Sequence, residues 1–141
     1  MKISKNIKFD CAHMLSNYVG KCANLHGHTY HGTVTLEGKI TLKTGMLLDY
    51  NRIKEIVDEF DHAIIFSEAK MRNPAETELF DWACRHEMHK VELFIGKSTA
   101  ENIATTMART FILVEDSVEH VVVRLSETDG SWAEAEATRC Q

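Results

Sequence analysis

The hydrophobic period of this chain is two at both ends and 3.6 in the middle, and that switch restricts the folds open to it. Residues 2–13 alternate. Ile3, Ile7, Phe9, Cys11 and His13 share one parity, and Lys2, Ser4, Asn6, Lys8 and Asp10 the other, with Lys5 the one exception. Successive side chains of a strand point to opposite faces, so this is a half-buried strand. Residues 28–38 alternate again, with Tyr30, Val34 and Leu36 against Thr29, His31, Thr33, Thr35 and Glu37. Near the C-terminus Val121, Val123, Leu125 and Glu127 share a face. Asp129-Gly130 is a hairpin signal, and Ala133, Ala135 and Ala137 then alternate with Glu134, Glu136 and Thr138.

Between these segments the period lengthens. Ile53, Ile56, Val57 and Phe60 fall at i, i+3, i+4 and i+7, one stripe of a helix from Asn51 that Asp49 or Asn51 would cap. Asn73-Pro74 marks a second helix start, with Leu79, Trp82, Ala83 and His86 expected on one face. Val91 to Ile95 reads as a short strand. Ser98-Thr99-Ala100-Glu101 is a capping-box pattern, opening a helix that turns Ile103, Ala104, Met107 and Phe111 inward. The order is α+β, with antiparallel hairpins at both ends and helices on one face. The other face is polar and would meet water or a wet space inside an oligomer.

A chain of 141 residues is the size of one domain, and no repeat, low-complexity tract or linker divides it, so residues 1–141 are read as a single domain. A net charge of −5 without a basic run argues against a general nucleic-acid binder. No apolar stretch approaches the roughly 20 residues that span a bilayer. The start, Met1 to Asn6, lacks an apolar signal-peptide core. Cys11, Cys22, Cys84 and Cys140 form no Cys-x-x-Cys and are too few for a disulfide framework. The expectation is a cytoplasmic protein with reduced thiols and no membrane or nucleic-acid partner.

The chemistry gathers around histidine, eight residues in all. His26 and His28 lie at i and i+2 of a strand and point the same way. His13 ends the first strand on its apolar parity. If the two strands pair, three imidazoles meet at one end of the sheet, on the face the helices cover. Three neutral nitrogens with an open fourth position suit catalytic Zn²⁺. The alternative is three ordinary histidines, but buried imidazoles without partners are costly. His86-Glu87-Met88-His89 has the wrong spacing for a zinc-protease helix and reads as a solvated helix end.

Cys22 lies four residues before His26. Beside a cation its thiol could be held as thiolate, able to attack or to take a proton from carbon; alone it is an incidental loop cysteine. Asp61-His62 offers a carboxylate that can orient an imidazole, or simply a histidine near a helix C-terminus. Glu127 continues an apolar parity, where a carboxylate needs a partner; two parallel N–H donors of a heterocycle edge would serve. Otherwise it is solvated in the turn.

In order along the chain stand Phe9-x-x-Ala12-His13, Cys22-x-x-x-His26-Gly27-His28-x-Tyr30, Gly45-Met46-Leu47-Leu48-Asp49-Tyr50, Phe60-Asp61-His62, Ser98-Thr99-Ala100-Glu101-Asn102 and Glu127-Thr128. The set resembles the 6-pyruvoyltetrahydropterin synthase / 6-carboxytetrahydropterin synthase family over nearly the whole chain. Residues 75–97 are longer than the usual connection, and Phe60 stands where leucine is more usual. The resemblance implies the tunnelling fold: a four-stranded antiparallel sheet with two main helices on one face. Three subunits would close a barrel, and two trimers would stack into a hexamer. It implies zinc on His13, His26 and His28, a catalytic Cys22, and His62 backed by Asp61 from a neighbouring subunit. Glu127 would anchor a pterin ring. Thr99 and Glu101 match residues flanking the pterin pocket, although for Glu101 the capping-box role competes. Three residues between Cys22 and His26 look like the bacterial carboxy-forming enzymes. They would convert 7,8-dihydroneopterin triphosphate to 6-carboxy-5,6,7,8-tetrahydropterin for 7-deazaguanine and queuosine synthesis. Pyruvoyl-forming chemistry and a non-catalytic pterin-binding module are the alternatives.

Overall fold

The alternating segments become strands and pair as their parity requires. The computed structural model describes residues 1–140. Its elements are β1 (Lys2–His13), β2 (His26–Gly38), α1 (Tyr50–Asp58), β3 (Ala63–Phe66), α2 (Pro74–Arg85), β4 (Lys90–Glu92), α3 (Ala100–Val114), β5 (Val118–Thr128) and β6 (Ser131–Thr138). Single turns of 3₁₀ helix lie at Lys21–Ala23 and Ala69–Met71. The sheet has six strands in the order β4-β3-β1-β2-β5-β6. β1, β2, β5 and β6 pair antiparallel; β3 joins β1, and β4 joins β3, in parallel.

Two expectations therefore need correction. The four antiparallel strands are present, but within a mixed six-stranded sheet, and there are three helices rather than two main ones. The extra strands belong to the long connection between α1 and α3. Ala63-Ile64-Ile65-Phe66 is too short to display a period, so β3 has no sequence signature of its own.

Residues directly opposite in an antiparallel pair share a face. Phe9 faces Tyr30 with their rings stacked at 5.1 Å, and Val34 faces Val123 across β2 and β5. These join Leu36, Val121 and Leu125 beneath Ile53, Ile56 and Val57 of α1 and Ile103, Met107 and Phe111 of α3 in one continuous core. Lys5, the parity exception, extends its ammonium over the Tyr50 ring at 5.7 Å. Ala135 and Ala137 are small enough for β6 to lie close under the core, while Trp132, Glu134 and Glu136 are exposed. At the turn into β6, Gly130 has φ +87°, which a residue without Cβ adopts freely.

Helix caps follow the sequence in two cases and depart from it in one. Asp49 accepts from the Asn51 N–H at 2.8 Å, and Asn73 from the Glu76 N–H at 2.8 Å. The capping box at α3 does not form. Thr99 is the N-cap residue and makes no side-chain cap bond, because the Ser98 hydroxyl donates to the Met14 carbonyl at 2.8 Å. In α2 the inward residues are Glu76 and Ala83, with Phe80 edge-on to Phe66 at 5.1 Å; Trp82 and His86 are exposed, contrary to the expected stripe. Among the described residues no helix is long and apolar enough to cross a membrane.

Candidate active site

The register of β1 against β2 builds the centre of the site. His13 lies directly opposite His26, and Cys11 opposite His28. The imidazoles of His13, His26 and His28 therefore converge, with ring centroids 4.6, 4.9 and 5.2 Å apart. One ligand nitrogen from each lies within 4.8 Å of the others. Gly27 keeps the strands close: a Cβ there would sit 3.3 Å from the Cys11 carbonyl oxygen.

Backbone carbonyls aim the rings. Nδ1 of His13 donates to the Ser98 carbonyl, and Nδ1 of His26 to the Asn24 carbonyl at 2.7 Å. A carbonyl only accepts, so each Nδ1 carries the proton, and in a neutral ring Nε2 is left as a lone pair. Burial lowers the pKa of His13, which favours that neutral form. The Nε2 atoms of His13 and His26 are both buried and have no hydrogen-bond partner. Buried acceptors in that state are costly, and a metal ion would satisfy them together. Imidazole donors oriented by carbonyls on their far nitrogens are the usual arrangement around a bound transition metal.

Glu127 stands beside this cluster. Its Oε1 lies 4.0 Å from Nε2 of His13 and accepts from the Tyr30 hydroxyl at 2.5 Å. Tyr30 is fully buried, and burial followed by the Glu127 hydrogen bond raises its pKa, so it remains a donor. Glu127 is therefore held by a partner rather than solvated in the turn. Glu101 is exposed at the start of α3 and lines a depression of about 130 Å³ with Glu127, Leu125 and Trp132. It makes no capping bond. Thr99 is half-buried at the same helix start.

The thiols of Cys11 and Cys22 differ. Cys11 is buried and its pKa is pushed up to about 12, chiefly by desolvation, so it stays protonated. Cys22 is half-buried in the Lys21–Ala23 turn, which the Leu15 N–H anchors by donating to the Cys22 carbonyl at 2.8 Å.

Asp61 and His62 form the expected pair. His62 Nδ1 lies 3.0 Å from Asp61 Oδ2, and the other carboxylate oxygen accepts from the Asp10 N–H at 2.8 Å. That backbone bond above all holds the Asp61 carboxyl below its ordinary range. The His62 N–H donates to the Asp10 carbonyl at 2.6 Å, and its φ of +56° is the left-handed conformation. His62 is 80% exposed and lines a hollow of about 400 Å³ with His28, Gly27, Thr29 and Asp10. Among the described residues no hydrogen bond joins His62 to Cys22. His86 and His89 are exposed at the surface, as a solvated helix end would place them.

Three participants escaped sequence reasoning. The Tyr30 hydroxyl had a faint signal, its place in His28-x-Tyr30. The Ser98 and Asn24 carbonyls had none, because every residue carries one.

The family described as 6-pyruvoyl tetrahydropterin synthase matches residues 2–138. A 6-carboxy-5,6,7,8-tetrahydropterin synthase of Haemophilus influenzae is 43% identical over 79 residues, covering 50% of this chain and 56% of that one. The enzyme of the same name from Rickettsia bellii is 34% identical over 109 residues, covering 74% and 75%. Among solved structures, the Plasmodium falciparum 6-pyruvoyl tetrahydropterin synthase superposes with a TM-score of 0.62 over 99% of this chain and 98% of that one. At 18% identity that likeness speaks for the fold alone. The match along nearly the whole chain, on a fold shared with solved members, means that the chain belongs to the 6-pyruvoyl tetrahydropterin synthase family, a family of lyase-type enzymes.

Proposed function

We propose that this chain is a 6-carboxy-5,6,7,8-tetrahydropterin synthase, a carbon–carbon lyase acting on 7,8-dihydroneopterin triphosphate. Substrate and water would give 6-carboxy-5,6,7,8-tetrahydropterin, acetaldehyde and triphosphate. The observation that carries the reading is the pair of buried, unpartnered Nε2 atoms on His13 and His26, with the Glu127 carboxylate 4.0 Å from that of His13. His13, His26 and His28 would hold Zn²⁺. When bound there, zinc supplies Lewis acidity toward the hydroxyl oxygens of the substrate side chain.

The chain's own residues do the rest. Cys22 takes a proton from the side chain as thiolate. His62, oriented by Asp61, exchanges protons with the reacting group. Glu127, steadied by Tyr30, accepts two parallel N–H bonds from the pterin edge. Thr99 and Glu101 flank the ring. Exposure of His62 fits its delivery to the Cys22 site of a neighbouring chain, in a hexamer of two stacked trimers. Four free cysteines fit a reducing cytoplasm. The product would enter 7-deazaguanine and queuosine synthesis.

The carboxy-forming branch is preferred on the three-residue spacing between Cys22 and His26 and on the names of the curated relatives. The test is incubation of zinc-loaded protein with the triphosphate, followed by mass spectrometry. Carboxy product with acetaldehyde is expected. A pyruvoyl product overturns the branch, and pterin binding without turnover makes the chain a non-catalytic module.

A further inference from the structure

Helix α2 and its flanks have no part in the chemistry above, yet they hold a buried carboxyl group. Glu76 is fully buried, and among the described residues no lysine, arginine or histidine lies within ion-pair range of it. Both its oxygens are taken. Oε1 accepts from the Ser67 N–H at 2.6 Å, and Oε2 accepts from the Ser16 hydroxyl. A carboxyl at such a place is expensive unless it organises what surrounds it.

What surrounds it leads to the site in two directions. The Ser67 hydroxyl accepts from the Ser98 N–H at 3.1 Å, and the Ser98 carbonyl accepts from Nδ1 of His13. Ser98 also holds Met14, the residue after His13, through its hydroxyl. On the other side Ser16 is fully buried and accepts from the Asn73 N–H at 2.8 Å. Its neighbour Leu15 carries the N–H that anchors the Cys22 turn. Arg72 secures Ser67 from behind, donating from Nε to the Ser67 carbonyl at 2.8 Å while its guanidinium lies over the Phe80 ring at 3.8 Å.

We propose that Glu76 is a positioning residue. It ties the orientation of His13, through Ser67 and Ser98, to the placement of the Cys22 turn, through Ser16. The connection between α1 and α3 is then a brace for the site rather than a surface insertion. This rests on the reading of His13 and Cys22 as site residues, and two independent readouts keep the ideas separable.

The test uses the full chain as wild type, Glu76→Ala, Glu76→Gln and Trp82→Ala. The first readout is zinc release to a chromophoric chelator. The second is the rate of iodoacetamide alkylation at Cys22 in metal-free protein, read by peptide mass mapping. Glu76→Ala loosens the Ser67–Ser98 link that sets the outer partner of His13, and loss of such a partner typically weakens metal holding at least tenfold, so Glu76→Ala should release zinc up to about ten times faster, and Glu76→Gln, which keeps an acceptor for Ser67, within about twofold of wild type. Glu76→Ala should also change Cys22 alkylation several-fold. Trp82→Ala, on the exposed side of α2, leaves these hydrogen bonds untouched and should leave both rates unchanged. Wild-type rates in Glu76→Ala, or equal shifts in Trp82→Ala, would overturn the proposal. If Glu76→Ala does not fold, Ser67→Ala decides: it must speed zinc release and spare Cys22, and unchanged release refutes the brace. Wild-type protein that retains no zinc counts against the metal reading alone, because the alkylation readout needs no metal.

Discussion

At Cys22 and His26 the proposed roles separate cleanly. Cys22→Ala removes a thiol that lies outside the imidazole cluster, so it should keep one zinc per chain and lose turnover; full activity would refute the thiol's part. His26→Ala removes one of three ligands and should empty the site by elemental analysis. Asp61 makes a pH-dependent prediction. Its carboxyl is held below the ordinary range in the folded chain, first by the Asp10 N–H and then by His62. Its stabilising effect is therefore complete above the unfolded pKa near 4 and is lost as pH falls through the lower folded value. Asp61→Asn should melt below wild type at pH 7, with the gap narrowing as the pH falls below about 4. A gap independent of pH would mean that the contribution is not electrostatic.

Among the elements, α2 and α3 differ in what holds them. The Asn73 side chain satisfies one of the open N–H groups at the start of α2, and Asn73→Ala should cost about 1 kcal/mol in denaturant unfolding. The α3 start has no side-chain cap bond, so that helix depends on packing. Phe111 is fully buried beneath the sheet, and Phe111→Ala should cost about 3–5 kcal/mol. The long strands and α1 were legible because twelve or nine consecutive residues display a period. β3 was not, with four residues. The capping box misled because Ser98 has a stronger claim on it: the Met14 carbonyl, 84 residues away in sequence.

For the whole molecule, the proposed assembly puts Cys22 and His62 of one site on different chains. Cys22→Ala and His62→Ala should each be inactive alone. Co-assembled after dissociation, they should recover turnover, because some sites then receive an intact Cys22 from one chain and an intact His62 from the other. No recovery in verified mixed oligomers would mean that each chain supplies both groups to its own site.

The sequence alone determined the parity of the strands, and with it the meeting of His13, His26 and His28. Once Phe9 and Tyr30 must both face the core, antiparallel pairing brings the three imidazoles to one side at one end. Local period is written in consecutive residues and needs no knowledge of the distant chain. Tertiary structure alone decided how those imidazoles are aimed, what holds Glu127, and where the Glu76 carboxyl lies. The Ser16–Glu76, His13–Ser98 and Tyr30–Glu127 contacts join residues 60, 85 and 97 positions apart, and others use backbone carbonyls or N–H groups, whose partners depend on the path of the chain rather than on residue type.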